Sequence, residues 1–258
     1  SGEIQENITI ATKTPSKPTK EQIINQAFKF HSQGNISEAT KYYQYFIKEG
    51  FKDHRVFSNY GIILKNLGKL QEAELSIRKS IELNPNLFNS HFLLGTILLG
   101  QKKLQESVQS LRQSIELKPD FFKAYLKLGS VLKDLGKTEE AEQALRKSID
   151  LNPNIFNSHF LLAKILIEKK KLKEAEVSMS KVLELKPDFP EAHLNLGNVL
   201  KDLGKLQEAE ISTRKALELK PDFAEAHSNL GNILKDLGKS QEAEISTRKA
   251  LELKPDFP

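Results

Sequence analysis

Residues 224–257 read AEAHSNLGNILKDLGKSQEAEISTRKALELKPDF, and the 34 residues before them, 190–223, repeat that text with four differences. Moving the register back by the same interval reaches weaker copies that start at Phe156, Phe122, Phe88, His54 and Lys20. Seven units, 20–53, 54–87, 88–121, 122–155, 156–189, 190–223 and 224–257, therefore account for nearly the whole chain. A fixed period of this length is the mark of a stacked architecture, in which each unit touches only its neighbours.

Numbered 1 to 34 from Ala224, the unit carries apolar or small residues at positions 3, 7, 8, 10, 11 and 14, here Ala226, Leu230, Gly231, Ile233, Leu234 and Leu237. That is helical spacing. Gly238 at position 15 allows a left-handed residue and ends the helix. Ser240 is expected to cap a second helix whose apolar face holds Ala243, Ala250, Leu251 and Leu253. Pro255 stops that helix, and Asp256 stands where it could cap the next one. Each unit is thus a helical hairpin. One hairpin cannot cover its own apolar stripe, so the units must share an elongated core. Position 8 is glycine in five units and alanine at Ala27 and Ala163, while position 20 is alanine everywhere except Ser107. Such small residues let two helices approach at the short end of the usual ~8–10 Å interaxial range.

The remaining composition sets limits on function. With 258 residues the chain is long for one compact core, a difficulty that a nearest-neighbour stack avoids. Without cysteine there is no disulfide and no thiolate chemistry, and a cytoplasmic location fits. The apolar runs, such as Ile97-Leu98-Leu99, are far too short to span a membrane, and no secretory signal is visible. Lysine and glutamate are interleaved, so the net charge of +5 gives no reason to expect nucleic acid. Residues 1–19 differ in kind, with a Lys/Thr/Ser/Pro run that reads as a flexible leader. Ser1-Gly2 has the form of an expression scar, and Pro258 would open an eighth unit, so both ends look cut from something longer.

A 34-residue helix–turn–helix with Leu-Gly at positions 7–8, Ala at 20, a small residue at 27 and Pro at 32 resembles the tetratricopeptide repeat. The resemblance covers residues 20–257 and implies an all-α, right-handed superhelix of seven repeats. Departures are His91, His159, His193 and His227 at position 4, where the family usually has a large aromatic, and leucine at position 11 in place of its usual tyrosine. The first unit is degenerate, with Gly50-Phe51 where the others have Lys/Asn-Pro, as befits a terminal cap. In wording, the last two units are similar to the repeats of the O-linked N-acetylglucosamine transferase arm, where NLGN also occurs.

Several stretches imitate chemistry. Gly129 to Thr138, GSVLKDLGKT, spaces its glycines too widely for a phosphate-binding loop, and its ordinary reading is a helix stop at Gly136 with Thr138 as an N-cap. The position-4 histidines are separated by at least a repeat, about a helix width, so they cannot converge on one zinc with ligand distances of ~2.0–2.1 Å. Glu74/Arg78, Glu142/Arg146, Glu210/Arg214 and Glu244/Arg248 sit four apart on the second helix and read as solvated pairs, each contributing ~0.2–0.5 kcal/mol. No nucleophile elbow or metalloprotease helix is present, so no catalytic activity, cofactor or metal is expected.

Function then lies in a surface. Positions 2, 5, 6, 9, 12 and 13 of the first helix face away from its apolar stripe. By resemblance, first helices line the concave groove of the superhelix, which makes these positions the binding face. Position 5 supplies apolar Phe92, Leu126, Phe160 and Leu194, and position 12 adds Leu99. Clustered apolar side chains on a charged surface mark an interaction site. Asn59, Asn195 and Asn229 at position 6 and Asn198 and Asn232 at position 9 are amides able to bind a peptide unit as both donor and acceptor. In the transferase arm an asparagine ladder at position 6 has that role; here Leu93, Lys127 and Leu161 interrupt it. Lys123, Lys127 and Lys164 add cationic rungs. Lys123 and Lys127 match only the third part of the family's carboxylate clamp, with Ser58, Ile62 and Leu93 where the preceding parts should be.

The sequence thus predicts a scaffold that binds a protein or peptide along its first helices. The alternative is the recognition arm of a larger enzyme, a glycosyl- or sulfotransferase for instance. RNA reading is disfavoured, since the groove lacks stacking aromatics for single strands. The outer face of the last unit has no polar capping helix, which predicts end-to-end self-association or a frayed seventh repeat.

Overall fold

The structure, a computed structural model, describes residues 17–254. Most of the leader and the stop-and-cap pair Pro255 and Asp256 lie outside the described residues. Fourteen helices are described, and no strand is present among the described residues. They are α1 (Lys20–Ser32), α2 (Ile36–Lys48), α3 (His54–Asn66), α4 (Leu70–Leu83), α5 (Phe88–Gly100), α6 (Leu104–Leu117), α7 (Phe122–Asp134), α8 (Thr138–Leu151), α9 (Phe156–Glu168), α10 (Leu172–Leu185), α11 (Pro190–Asp202), α12 (Leu206–Leu219), α13 (Ala224–Asp236) and α14 (Ser240–Leu253). Odd and even helices pair as seven hairpins, one per sequence unit. The chain divides between Pro119 and Asp120 into two compact units, one holding three hairpins and the other four.

The turn inside each hairpin depends on position 15. All seven residues there are left-handed: Gly34, Gly68, Gly136, Gly204 and Gly238, with φ from 71° to 77°, and also Lys102 (61°) and Lys170 (58°). A left-handed conformation brings an L side chain's Cβ close to its carbonyl, so two hairpins hold a lysine where glycine is less strained. The hydrogen bonds are the same in both cases. Lys170 N–H donates to Ile167 O at 3.0 Å, as Gly136 N–H does to Lys133 O at 2.9 Å.

Position 8 shows why glycine belongs there. A β-carbon on Gly129 would lie 2.6 Å from Leu145 Cγ and 3.3 Å from Ala141 O. On Gly197 it would lie 2.3 Å from Thr213 Oγ1. The close approach predicted from small residues is therefore a contact between position 8 and the position-24 side chain, over the position-20 carbonyl. Where position 24 is Thr213 or Thr247, the hydroxyl donates to Ala209 O or Ala243 O one turn back, so no buried polar group is left unsatisfied.

The expected helix caps are not the observed ones. Ser240 and Thr138 are the first helical residues, and the N-caps are Lys239 and Lys137, whose side chains make no cap hydrogen bond. In the repeats from α7 onward the first helices are capped by position 34 (Phe121, Ile155, Phe189, Phe223), again without a side-chain bond, and not by the polar residue at position 33. The first unit is the exception. Thr19 and Gln22 form a reciprocal capping box on α1, Asn35 accepts from Glu38 N–H on α2, and Asp53 accepts from Arg55 N–H on α3. From α4 onward no described helix has a side-chain N-cap bond, and these helices rely on tertiary packing instead.

Neighbouring hairpins within each unit are joined by three polar devices. His91, His159, His193 and His227 donate from Nε2 to the carbonyls of Pro85, Pro153, Pro187 and Pro221 at 2.8–2.9 Å, tying position 4 to position 32 of the preceding repeat. Buried serines at positions 27 and 3 meet as Ser80/Ser90 (3.2 Å) and Ser148/Ser158 (2.9 Å), while the same positions are apolar as Val182 with Ala192 and Ala216 with Ala226. The third device corrects the surface-pair reading of the glutamates. Glu74, Glu142 and Glu210 do pair with Arg78, Arg146 and Arg214, but Lys103, Lys171 and Lys239 of the following repeat also donate to them at 2.7–3.2 Å. Each of those arginines reaches onward to Glu106, Glu174 or Glu242 at 2.6–2.8 Å. Lys169 leads the group that holds the Glu142 carboxyl down at about 2.

Candidate functional site

The proposed binding positions are distributed over the odd-numbered helices and fall into both units. In the first unit Asn59 lies on α3 and Phe92 and Leu99 on α5. In the second, Lys123, Leu126 and Lys127 lie on α7, Phe160 and Lys164 on α9, Leu194, Asn195 and Asn198 on α11, and Asn229 and Asn232 on α13.

The apolar part of this face is less open than its sequence spacing implies. Leu194 is only 2% exposed and packs with Ala216 and Ala226, so it belongs to the core. Phe160 is half-buried, lies against the core built on Ala163 and Met179, and meets the Phe189 ring at 4.8 Å. Phe92, Leu99 and Leu126 are likewise half-buried. The phenylalanines therefore contribute to packing as well as to the surface.

Among the amides, Asn59 is already engaged, since it hydrogen-bonds Tyr43. Burial drives that phenol up to about 12, partly offset by the bond from Asn59, and the same hydroxyl meets His31 Nδ1 at 2.9 Å. The other four differ. Among the described residues the side chains of Asn195, Asn198, Asn229 and Asn232 have no hydrogen-bond partner, and Lys123, Lys127 and Lys164 have no carboxylate partner. Lys164 Nζ stands 5.9 Å from the centre of the Phe160 ring, and Lys123 Nζ 5.9 Å from that of Phe122. One face of the second unit thus carries free donors and acceptors beside half-buried apolar surface.

A second surface was not anticipated. On α10, α12 and α14, position 22 is a nearly bare aliphatic residue: Val177, Ile211 and Ile245 are 71%, 71% and 69% exposed. Beside them lie depressions of about 420, 550 and 810 Å³, each floored by the position-4 histidine and position-7 leucine. The signal in the sequence was an aliphatic residue between Glu at 21 and Ser at 23, off the apolar stripe. Its lysines, however, are already paired with their own helix, as Lys181–Glu184, Lys215–Glu218 and Lys249–Glu252 at 2.7, 2.7 and 3.1 Å. No group of three or more metal-ligating side chains converges among the described residues, and no described helix is long and apolar enough to cross a membrane.

Family profiles match along most of the chain. The tetratricopeptide repeat is matched at residues 54–87, 88–121 and 122–155 and again at 224–257, and the TPR repeat at 163–204 and 197–238. The solved structures include YrrB, described as a TPR protein with an unusual peptide-binding site, at 22% identity over 70% of this chain and 93% of its own, with a TM-score of 0.65. The C-terminal part of a TPR repeat-containing protein from Cytophaga hutchinsonii aligns over 90% of this chain and 96% of its own, at 17% identity and a TM-score of 0.74. PilF of Pseudomonas aeruginosa aligns over 79% and 93%, at 17% identity and a TM-score of 0.69. At such identities the likeness establishes the fold alone. No curated protein matches the chain, so the likeness of its last units to the transferase arm rests on the quoted residues only.

Proposed function

Because the chain belongs to the tetratricopeptide repeat family, we propose that it is a non-catalytic scaffold that holds an extended peptide segment of a partner protein along its odd helices. The observation that carries this reading is the unpartnered polar set of the second unit. Asn195, Asn198, Asn229 and Asn232 keep both donor and acceptor uncommitted, which suits binding to peptide groups irrespective of side chain. Lys123, Lys127 and Lys164 favour a segment with acidic character, and the half-buried Phe160 and Leu126 offer it an apolar anchor. The even-helix face has hollows of its own, but its rim lysines Lys181, Lys215 and Lys249 are paired within their own helices. YrrB, of the same fold, is a TPR protein with a peptide-binding site, which supports the class of ligand.

Selection of extended peptides from a random display library against the whole chain tests the reading. Peptides that bind should lose affinity when Asn195, Asn198, Asn229 and Asn232 are all changed to alanine, with a true hot spot among them worth about 2 kcal/mol. Binders that ignore this variant, or that protect only the even helices from hydrogen exchange, would overturn it.

A further inference from the structure

We infer that the junction of the fifth and sixth hairpins carries a docking site for a segment of a partner protein that presents an arginine beside an aliphatic side chain. The chain itself shows what the acidic half of this site binds. Where one hairpin packs on the next, the position-25 arginine of α4, α8 or α12 crosses to the position-19 glutamate of the following even helix. These contacts are Arg78 to Glu106, Arg146 to Glu174 and Arg214 to Glu242, at 2.6–2.8 Å. Each arginine is also held by the position-21 glutamate of its own helix, which completes an ion-pair clasp.

Between α10 and α12 half of that clasp is missing. Position 25 of α10 is Ser180, so Glu208, at position 19 of α12, receives no arginine. Only the lysine half is present, with Lys205 on Glu176 at 2.7 Å. Glu208 is exposed and forms no ion pair or hydrogen bond among the described residues, acting on Lys205 across space only. Both hairpins lie between others of the second unit, so what leaves this carboxylate unmatched is the residue at 180.

The same glutamate lines an apolar hollow. The depression of about 550 Å³ at this junction is walled by Leu183 of α10 and by the bare Ile211 of α12, with Leu196 and Leu200 of α11 beneath. Its other polar groups are already engaged. His193 Nε2 donates to Pro187 O and Ser212 Oγ to His193 O, both at 2.9 Å, and Lys215 is paired with Glu218 at 2.7 Å. In the corresponding hollow beside Val177 the position-25 arginine, Arg146, is itself part of the lining. An open apolar hollow with one unmatched carboxylate on its rim therefore calls for one apolar group and one cation. Guanidinium is the cation that the three clasps bring to this same position, and its planar fork matches a carboxylate better than an ammonium does. The aliphatic side chain must supply much of the affinity, because an exposed ion pair alone contributes little. The site lies on the even helices and does not depend on the amide face of the odd ones.

The test selects random peptides displayed on phage against the whole chain carrying Asn195→Ala, Asn198→Ala, Asn229→Ala and Asn232→Ala. Those changes disable the odd-helix face, so failure of that reading leaves this selection untouched. The peptides recovered should hold an arginine close to leucine or isoleucine, and their affinity, read by fluorescence anisotropy, should fall about tenfold with Glu208→Gln. Ser180→Arg, which lets the chain supply the guanidinium from within, should abolish binding while circular dichroism stays that of the parent. Glu208→Arg should move the preference to peptides in which glutamate replaces the arginine. Binders without arginine, binders indifferent to Glu208→Gln or to Ser180→Arg, or a selection that yields no binder would each overturn the inference. N-acetylarginine amide binding as tightly as the peptides would overturn it too, since the hollow would then take no part.

Discussion

The first and last hairpins have the same length and turn geometry but close in opposite ways. In residues 20–53 the core is aromatic. Tyr42, Tyr43, Tyr45 and Phe46 are buried with Ile23 and Ile24, Phe28 and Phe30 lean on Tyr43 and Tyr42, and Phe46 meets Phe51 at 5.4 Å across a left-handed Gly50. In residues 224–257 the corresponding second helix buries only Ala243, Ser246 and Ala250, opposite Gly231. The aromatic core of the first hairpin is shared with α3, through Val56 and Ile63 and through Tyr60, whose ring lies 6.2 Å from that of Tyr43. The last hairpin, with glycine at 8 and threonine at 24, brings its two helices close together. The 34-residue repeat is thus compatible with both an aromatic and a small-residue interior.

The contrast is most sharply broken by truncating the aromatic closure. Tyr43 is fully buried at position 24, and Tyr43→Ala should cost about 3–5 kcal/mol and melt the first hairpin ahead of the others. Thr247→Ala at the same position of the last repeat should barely move the melting curve. Hydrogen exchange resolved by helix would separate the two outcomes, and equal losses would mean that the two ends are closed alike.

Gly129→Ala comes next. Its new methyl group would meet Leu145 at 2.6 Å, and overpacking of this kind costs about 1–3 kcal/mol. The first hairpin already has Ala27 at this position against Tyr43, so Ala27→Gly there should also destabilise, by opening a gap. Urea unfolding of both variants gives the measurement, and an unchanged midpoint for Gly129→Ala would refute the close approach.

The ion-pair clasp provides a smaller, pH-dependent test. Glu142 is held at about 2 in the folded chain against an ordinary value of 4.5, with Lys169 the main cause. Its stabilisation is therefore fully present above about 4.5 and is lost as pH falls towards 2. Allowing for solvent screening of its partly exposed partners, Glu142→Gln should remove about 1–2 kcal/mol at neutral pH and flatten that part of the acid limb. The same change at Glu244, which is 70% exposed and pairs with Arg248 alone among the described residues, should leave the melting temperature where it was. Equal effects at the two sites would show that the clasp contributes nothing beyond its local pair.

The smallest expected effect is a gain. Lys102 and Lys170 hold the left-handed conformation that glycine holds in the other five hairpins, so Lys170→Gly should stabilise by about 1 kcal/mol. Loss of stability on calorimetry would mean that the lysine side chain contributes more than its backbone strain removes.

The period of 34, the two helices per unit, the glycine turn at 15 and the close approach at 8 were all determined by the sequence alone. Each follows from local sterics or from periodicity, which neighbouring residues carry with them. The tertiary structure decided what period alone does not contain. Leu194 and Phe160 share position 5, yet one is core and the other half-open, because burial depends on how deeply each helix settles against its neighbours. Glu142 and Glu244 share position 21, yet one is clasped from the next hairpin and the other lies in water. The uncommitted amides, the bare aliphatic residues at position 22 and the capping role of position 34 likewise emerged only once the hairpins were stacked, since hydrogen-bond partners and solvent exposure belong to the assembled surface and not to the repeat.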